Sequence, residues 1–281
     1  ENWDFWIGSV AKSNEGDIIN IIYEDWTTPG GWIFKIDDLN DGVISEISEP
    51  LEVGDESWFN DPDGNGGYAS NWFLDINNEG IGYISATAYL NESGGDNPHT
   101  MFFKSTNDHG TSWSNSGNGI PYYQIPSEVL QSVANEYFTF VEDSLNGTPA
   151  PDQLFMTYDF DLKVDSQGNP HFIVGIMPAS TNGTTDPIDN WIFPTYPGSG
   201  YYHFTIDKEY LNSPGQTQTQ YGWRYSKVFN TEYSWSFSND GSSFWLDIAP
   251  SLSIKDAPNL PGRFKSTCKV PHCQSLPIAS L

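Results

Sequence analysis

The chain has 281 residues, with 37 acidic and 11 basic side chains and a formal net charge of −26. Such a surface repels nucleic acid and anionic membranes and draws divalent cations, and no apolar run reaches the roughly 18 residues of a membrane helix. Aromatics make up 15% and hydrophobic residues 37%, and a chain rich in aromatics, Gly and Asn but poor in Leu and Ala favours strands and turns over helices.

The first signal along the chain is Ser13-Asn14-Glu15-Gly16, a polar turn between β-rich runs. It reads as a hairpin. Strands are predicted next at 32–37 and 43–49, with Asp37 to Gly42 as the turn between them. A second hairpin turn, Asn77-Asn78-Glu79-Gly80, predicts strands at 71–76 and 81–89, followed by one at 99–105. The only helical pattern runs from Pro126 to about Tyr137, with Ser127 as its cap and Val129, Leu130 and Val133 on one face. A third hairpin, Asp165-Ser166-Gln167-Gly168, predicts strands at 154–164 and 170–177, then at 201–207 and 221–229. Residues 247–256 read as the opening strand of a fourth unit. The repeat therefore shows three four-stranded units and the start of another.

Residues 106–113 read Thr-Asn-Asp-His-Gly-Thr-Ser-Trp, with Thr106, Asp108, Gly110, Ser112 and Trp113 at the constrained positions. Asp108 suits acceptance of hydrogen bonds from the turn's own amides. Gly110 suits a positive φ, and Trp113 suits packing beneath the turn. This motif resembles the Asp-box of the sialidase-like (BNR-repeat) β-propellers. The resemblance implies an all-β propeller over residues 1–262, with a motif that is structural and not chemical. Asp37 to Gly42 and Ser238 to Gly241 read as degenerate copies. Residues 263–281, with Cys268 and Cys273, break the composition of the rest and read as a C-terminal tail, in which the two cysteines suit a small disulfide in an oxidising compartment.

Sialidase chemistry needs three arginines to clamp a carboxylate. Arg224 and Arg263 are the only two in the chain, so the resemblance does not bring that activity. Carboxylates for glycosidase work are offered by Glu24, Asp25, Asp75, Asp161 and Asp247, but no motif singles out a pair; His99, His171 and His203 offer bases for a lyase, with a packed core histidine as the alternative for His171 inside its strand. Asp61-Pro62-Asp63-Gly64-Asn65-Gly66 matches the first half of a calcium loop, with Asp61, Asp63 and Asn65 as ligands. Ala69 and Trp72 stand where shorter and longer loops place an acid, so a plain Asp/Gly turn is the alternative.

In a propeller the long connections share one face. Here they carry Trp26, Trp58, Trp191, Tyr196, Asp186 and Asp189, which suit stacking on and hydrogen bonding to neutral sugars. Packing between the repeated units is the alternative role for the aromatics. The expectation is a secreted or cell-surface, non-catalytic recognition or adhesion module for glycans or surface proteins, with Ca2+ in a loop. Expected alternatives are a glycoside hydrolase using paired carboxylates and a structural surface component.

Overall fold

The computed structural model describes residues 5–13, 18–25, 31–40, 43–48, 51–54, 58, 70, 72–90, 99–114, 121–140, 150–180, 191–193, 196–211, 222–230, 252–255 and 263–266. The first sheet is an antiparallel meander of β1 (Phe5–Ser13), β2 (Ile18–Asp25), β3 (Gly31–Asn40) and β4 (Val43–Ile47), with β5 (Leu51–Gly54) pairing on β3. The second holds β6 (Phe73–Ile76), β7 (Gly82–Tyr89), β8 (His99–Thr106) and β9 (Tyr123–Gln124) in the same order. The third runs β10 (Gln153–Val164), β11 (Pro170–Ser180), then β13 (Gly200–Ile206) and β14 (Trp223–Asn230), with β12 (Trp191–Ile192) on the end of β11. A two-stranded sheet, β15 (Leu252–Lys255) with β16 (Arg263–Ser266), comes last. The first strands of successive sheets lie side by side, β1 against β6, β6 against β10 and β10 against β15.

Burial on both faces explains the composition of the middle strands. In β11 and β13 every residue is buried, which suits near-continuous apolar runs. Ile22, Ile33, Trp72, Leu74, Ile84 and Phe102 fill the space between the first and second sheets. Tyr83, Phe103, Phe172, Tyr202, Phe204 and Trp223 belong to the core between the second and third. Ile173 and Tyr201 meet Leu252 of the last pair. Trp72 is fully buried and sits over glycines: a Cβ on Gly31 would lie 2.6 Å from its ring, and one on Gly54 2.3 Å.

Three sequence expectations change in detail. Residues 37–40 do not turn but continue β3, and Asn40 pairs with Val43. Residues 37–40 therefore belong to the strand and not to the turn expected at 37–42, whose Asp41 and Gly42 lie outside the described residues. The helix α1 spans Ser127–Tyr137 and buries Val129, Leu130, Val133 and Ala134. Its N-cap is Pro126, without a side-chain cap bond, and the Ser127 hydroxyl turns to Glu128. Residues 263–266, assigned by composition to the tail, form β16 and pair with β15 from Leu252↔Ser266 to Lys255↔Arg263. The short elements β5, β12 and α2 (Lys208–Leu211) fall where the sequence signalled only loops or nothing. Ser238 to Gly241, Cys268 and Cys273 lie outside the described residues.

Candidate functional site

The two ends of the sheets differ. At one end three short turns are tied to their neighbours, although the connection from Ile206 to Trp223 at this end is a long one. Asn77 Oδ1 accepts the amides of Glu79 and Ile81, both at 3.0 Å. Asp165 Oδ1 does the same for Gln167 and Asn169, at 2.9 and 2.8 Å. Gly80 and Gly168 complete these turns at φ of 80° and 87°, a region open to glycine. One turn holds the other, because Asn77 Nδ2 donates to the Asp165 carbonyl at 3.0 Å.

Thr106 to Trp113 form a third turn at this end. Asp108 Oδ1 accepts the Thr106 hydroxyl at 2.8 Å and the Ser112 amide at 2.9 Å, and Oδ2 accepts the Ser112 hydroxyl at 2.6 Å. The Thr106 hydroxyl oxygen accepts the Gly110 amide at 3.0 Å. Burial raises the Asp108 carboxyl, but the Ser112, Thr106 and Thr111 hydrogen bonds outweigh it and hold it below its ordinary value. Gly110 has φ of 81°, and a Cβ there would meet Asn20 Oδ1 at 2.3 Å. Asn20 Nδ2 donates to the His109 carbonyl at 3.1 Å, which ties the turn to the first sheet. Trp113 packs half-buried on the core between the two sheets.

His171 and His203 lie nearby on the third sheet. His171 Nε2 meets Asp165 Oδ2 at 3.3 Å, and its Nδ1 meets His203 Nε2 at 3.0 Å. Burial, then His171 and Arg224, push His203 down to about 3. Burial raises Asp165, but its bonds to His171 and Asn169 hold it below the usual range. The line joins two strands and the turn, and each member has a partner.

The other end carries the longer connections, from Gly54 to Phe73, Tyr89 to His99, Gln124 to Gln153 and Ser180 to Gly200. Half-buried rings lie toward it in two groups, Tyr89 with Tyr158 around His99, and Phe140 with Phe193 and Tyr196, whereas Trp58 lies beside Tyr122 and Lys104, nearer the Thr106 turn. His99 stacks on Phe155 at 4.3 Å and meets Tyr89 and Tyr158 edge-on, each at 4.6 Å. Its Nδ1–H donates to the Met156 carbonyl at 2.5 Å, and its Nε2 has no partner among the described residues. Burial pushes the imidazole down to about 3, against the carbonyl bond, so it is neutral at pH 7. Tyr89 and Tyr158 escaped the sequence reading because they sit in strands. Their signals are the strand end at Tyr89 and the break in β10 register between Met156 and Phe160.

The structure brings two of the sequence-proposed carboxylates together on neighbouring first strands. Asp75 Oδ2 accepts the Val164 amide at 2.7 Å, and Asp161 Oδ2 accepts the Leu252 amide at 2.6 Å. Each thus caps an edge amide of the next sheet's first strand. Lys163 Nζ lies 3.8 Å from Asp75 Oδ1. Burial holds both carboxyls above the usual range, opposed by Lys163 and the strand amides, and the Asp161 charge adds to the rise at Asp75. These groups are occupied in joining sheets.

Trp58 packs at 5.3 Å from the Tyr122 ring and edge-on to Phe102, with Lys104 Nζ 5.3 Å over its face. The Tyr196 hydroxyl donates to the Thr139 carbonyl at 2.7 Å. Trp191 pairs with Ser180 through the backbone. Trp26, Asp186, Asp189, Asp61, Asp63, Asn65 and Asp247 lie outside the described residues. Among the described residues no cluster of three or more His, Cys, Asp or Glu side chains suits a metal ion, and no helix is long and apolar enough to cross a membrane.

No family model matches the chain, and no curated protein does. Among solved structures it is similar to the polysaccharide lyase Uly1, at 12% identity and a TM-score of 0.38, over 93% of this chain and 54% of that one. It is also similar to the Hadza microbial sialidase Hz136, at 11% identity and a TM-score of 0.36, over 80% of this chain and 46% of that one. The chain spans about half the length of each, and no residue role is carried over from either.

Proposed function

We propose that the chain is part of a sialidase-type β-propeller that acts as a non-catalytic recognition module for neutral glycans, outside the cell or at its surface. The propeller reading is supported by three meander sheets whose first strands lie side by side, and by the hydrogen bonding of the turn at Thr106 to Trp113. The observation that carries the functional reading is the contrast between the ends. At one end the short turns at 77–81, 107–113 and 165–169 are held by hydrogen bonds to a neighbouring turn or strand, whereas two groups of half-buried aromatic rings lie toward the other. Half-buried aromatic rings suit the apolar faces of neutral sugars. Calcium held by Asp61, Asp63 and Asn65 belongs to the same proposal and would order a connection at that end. A glycan array probed with and without calcium tests it. Binding to neutral oligosaccharides, strengthened by calcium, is expected. Failure to bind any glycan in either condition, or release of sialic acid from a fluorogenic substrate, refutes it.

A second reading, hydrolysis by paired carboxylates, is favoured by the raised Asp75 and Asp161 on adjacent strands. It ranks lower because both carboxylates accept strand amides. Reducing-sugar release that disappears in Asp75→Asn and Asp161→Asn would reverse that order.

A further inference from the structure

We propose that His99 reads the ligand at the long-connection end, its Nε2 accepting a hydrogen bond from a hydroxyl of a neutral sugar beside Tyr89 and Tyr158. The inference rests on the glycan-binding reading above and adds the atom that selects among glycans. His99 begins β8 and lies opposite Tyr89, at the end of β7. Its other ring neighbours, Phe155 and Tyr158, stand three residues apart on β10. In a regular strand they would face opposite sides of the sheet. The register of β10 breaks between Met156 and Phe160, as where a bulge re-aims a side chain, and both rings reach His99, at 4.3 and 4.6 Å. Thr157 holds this break. Its hydroxyl donates to the Asp159 carbonyl and its carbonyl accepts the Thr87 hydroxyl, each at 3.1 Å. Gly175 leaves room for it, since a Cβ there would lie 2.5 Å from Thr157 Oγ1.

The imidazole has one hydrogen-bonding role left. Its Nδ1–H donates to the Met156 carbonyl, which fixes the tautomer. Burial keeps the ring neutral, so Nε2 carries a lone pair and no proton and can only accept. His99 is 1% exposed, and its Nε2 is buried without a partner among the described residues. A buried acceptor without a donor is costly, and in a native protein such an atom calls for a partner. Tyr89 and Tyr158 are only half-buried, so the rings that stand edge-on to His99 are themselves in part open to solvent.

An imidazole whose Nδ1–H is tied to a carbonyl is also how metal ligands are held. Among the described residues, however, no three His, Cys, Asp or Glu side chains come together for an ion. A neutral hydroxyl meets the demand without a charge to bury. The rings beside it suit the C–H groups of a sugar that carries that hydroxyl. Such a site discriminates by omission, because an analogue lacking the hydroxyl leaves the buried acceptor unpaired.

Titration calorimetry with a panel of neutral gluco-, galacto- and manno-oligosaccharides, and with monodeoxy analogues of the tightest binder, tests this. His99→Asn keeps a donor for the Met156 carbonyl but removes the acceptor at Nε2. His99→Gln carries an amide oxygen to about that place. The parent should bind one monodeoxy analogue about tenfold or more weakly than the full sugar. His99→Asn should lose as much for the full sugar and nothing further for that analogue, as expected of one contact cut from either side. His99→Gln should recover part of the loss, and melting curves show that each variant is folded. Nitrogen-15 spectra of the parent should show Nδ1 protonated, with the Nε2 signal moving on addition of the full sugar but not of the analogue. These spectra decide the matter even if a variant does not fold. If the parent binds the panel but His99→Asn binds it equally, or Nε2 carries the proton, this inference falls and the glycan reading stands, with a buried water as the partner of the ring. If the parent binds none of the panel, both fall.

Discussion

Gly54→Ala is the sharpest test of how the first two sheets nest. A Cβ built on Gly54 lies 2.3 Å from Trp72 Cη2 and 2.4 Å from Cζ2, with the Gly31 amide nitrogen at 3.0 Å. The ring cannot retreat, because Trp72 is fully buried and packs edge-on against Phe102 at 5.2 Å. Overpacking of this kind costs about 1–3 kcal/mol, and two ring atoms well inside contact distance put this site near 3. By itself a glycine-to-alanine change would stabilise by about 0.4–1 kcal/mol through the unfolded chain, so the sign alone is diagnostic. Urea and thermal melts followed by far-UV circular dichroism should show the loss, as a fall of about 5–10 °C in Tm for a chain of this size. Trp72→Phe removes the opposing ring atoms. Gly54→Ala should then cost at least ~1 kcal/mol less in that background, a coupling between contacting residues. A Gly54→Ala protein as stable as the parent, or additive with Trp72→Phe, would refute this packing.

Asp108→Ala should destabilise by about 1–3 kcal/mol through the lost turn hydrogen bonds, measured by urea melts, and leave glycan binding intact below the melting range. His99 and His203 are both pushed down to about 3 from an ordinary 6.5. Their stabilisation is present above 6.5 and is lost as pH falls toward 3, at up to ~1.4 kcal/mol per pH unit for each. Asp75 and Asp161, raised in the fold, act in the opposite direction. Stability measured from pH 7 to 4 should therefore fall, and His99→Phe should make the slope shallower. Tm should climb with calcium concentration and less with magnesium; Asp63→Ala should remove that response, whereas Asp41→Ala should not.

Strands of the second and third sheets were legible from sequence because each is announced twice, by an apolar run and by a turn residue with a mechanical role. Asn77 with Gly80 and Asp165 with Gly168 mark hairpins, and the strands on either side start and stop within about three residues of the expectation. Residues 37–40 misled because two consecutive aspartates read as a turn, whereas pairing with β4 keeps them in a strand. Ser127 misled because a preferred cap residue stood one place inside the helix start. The carboxylates were visible as candidates, but their roles were not. That Asp75 and Asp161 hold amides of the following sheet is a contact across 89 and 91 residues, which local pattern cannot reveal. The rings around His99 were hidden for the same reason, since they come from two strands far apart in sequence, β7 and β10.

The most direct test of the functional account is hydrogen–deuterium exchange with and without the best neutral oligosaccharide from the array. The account predicts protection at the long-connection end, around residues 89–99, 138–140 and 191–199. It predicts no change at the turns 77–81, 107–113 and 165–169. Protection confined to those turns, or to the first-sheet strands at 18–23 and 31–36, would contradict it.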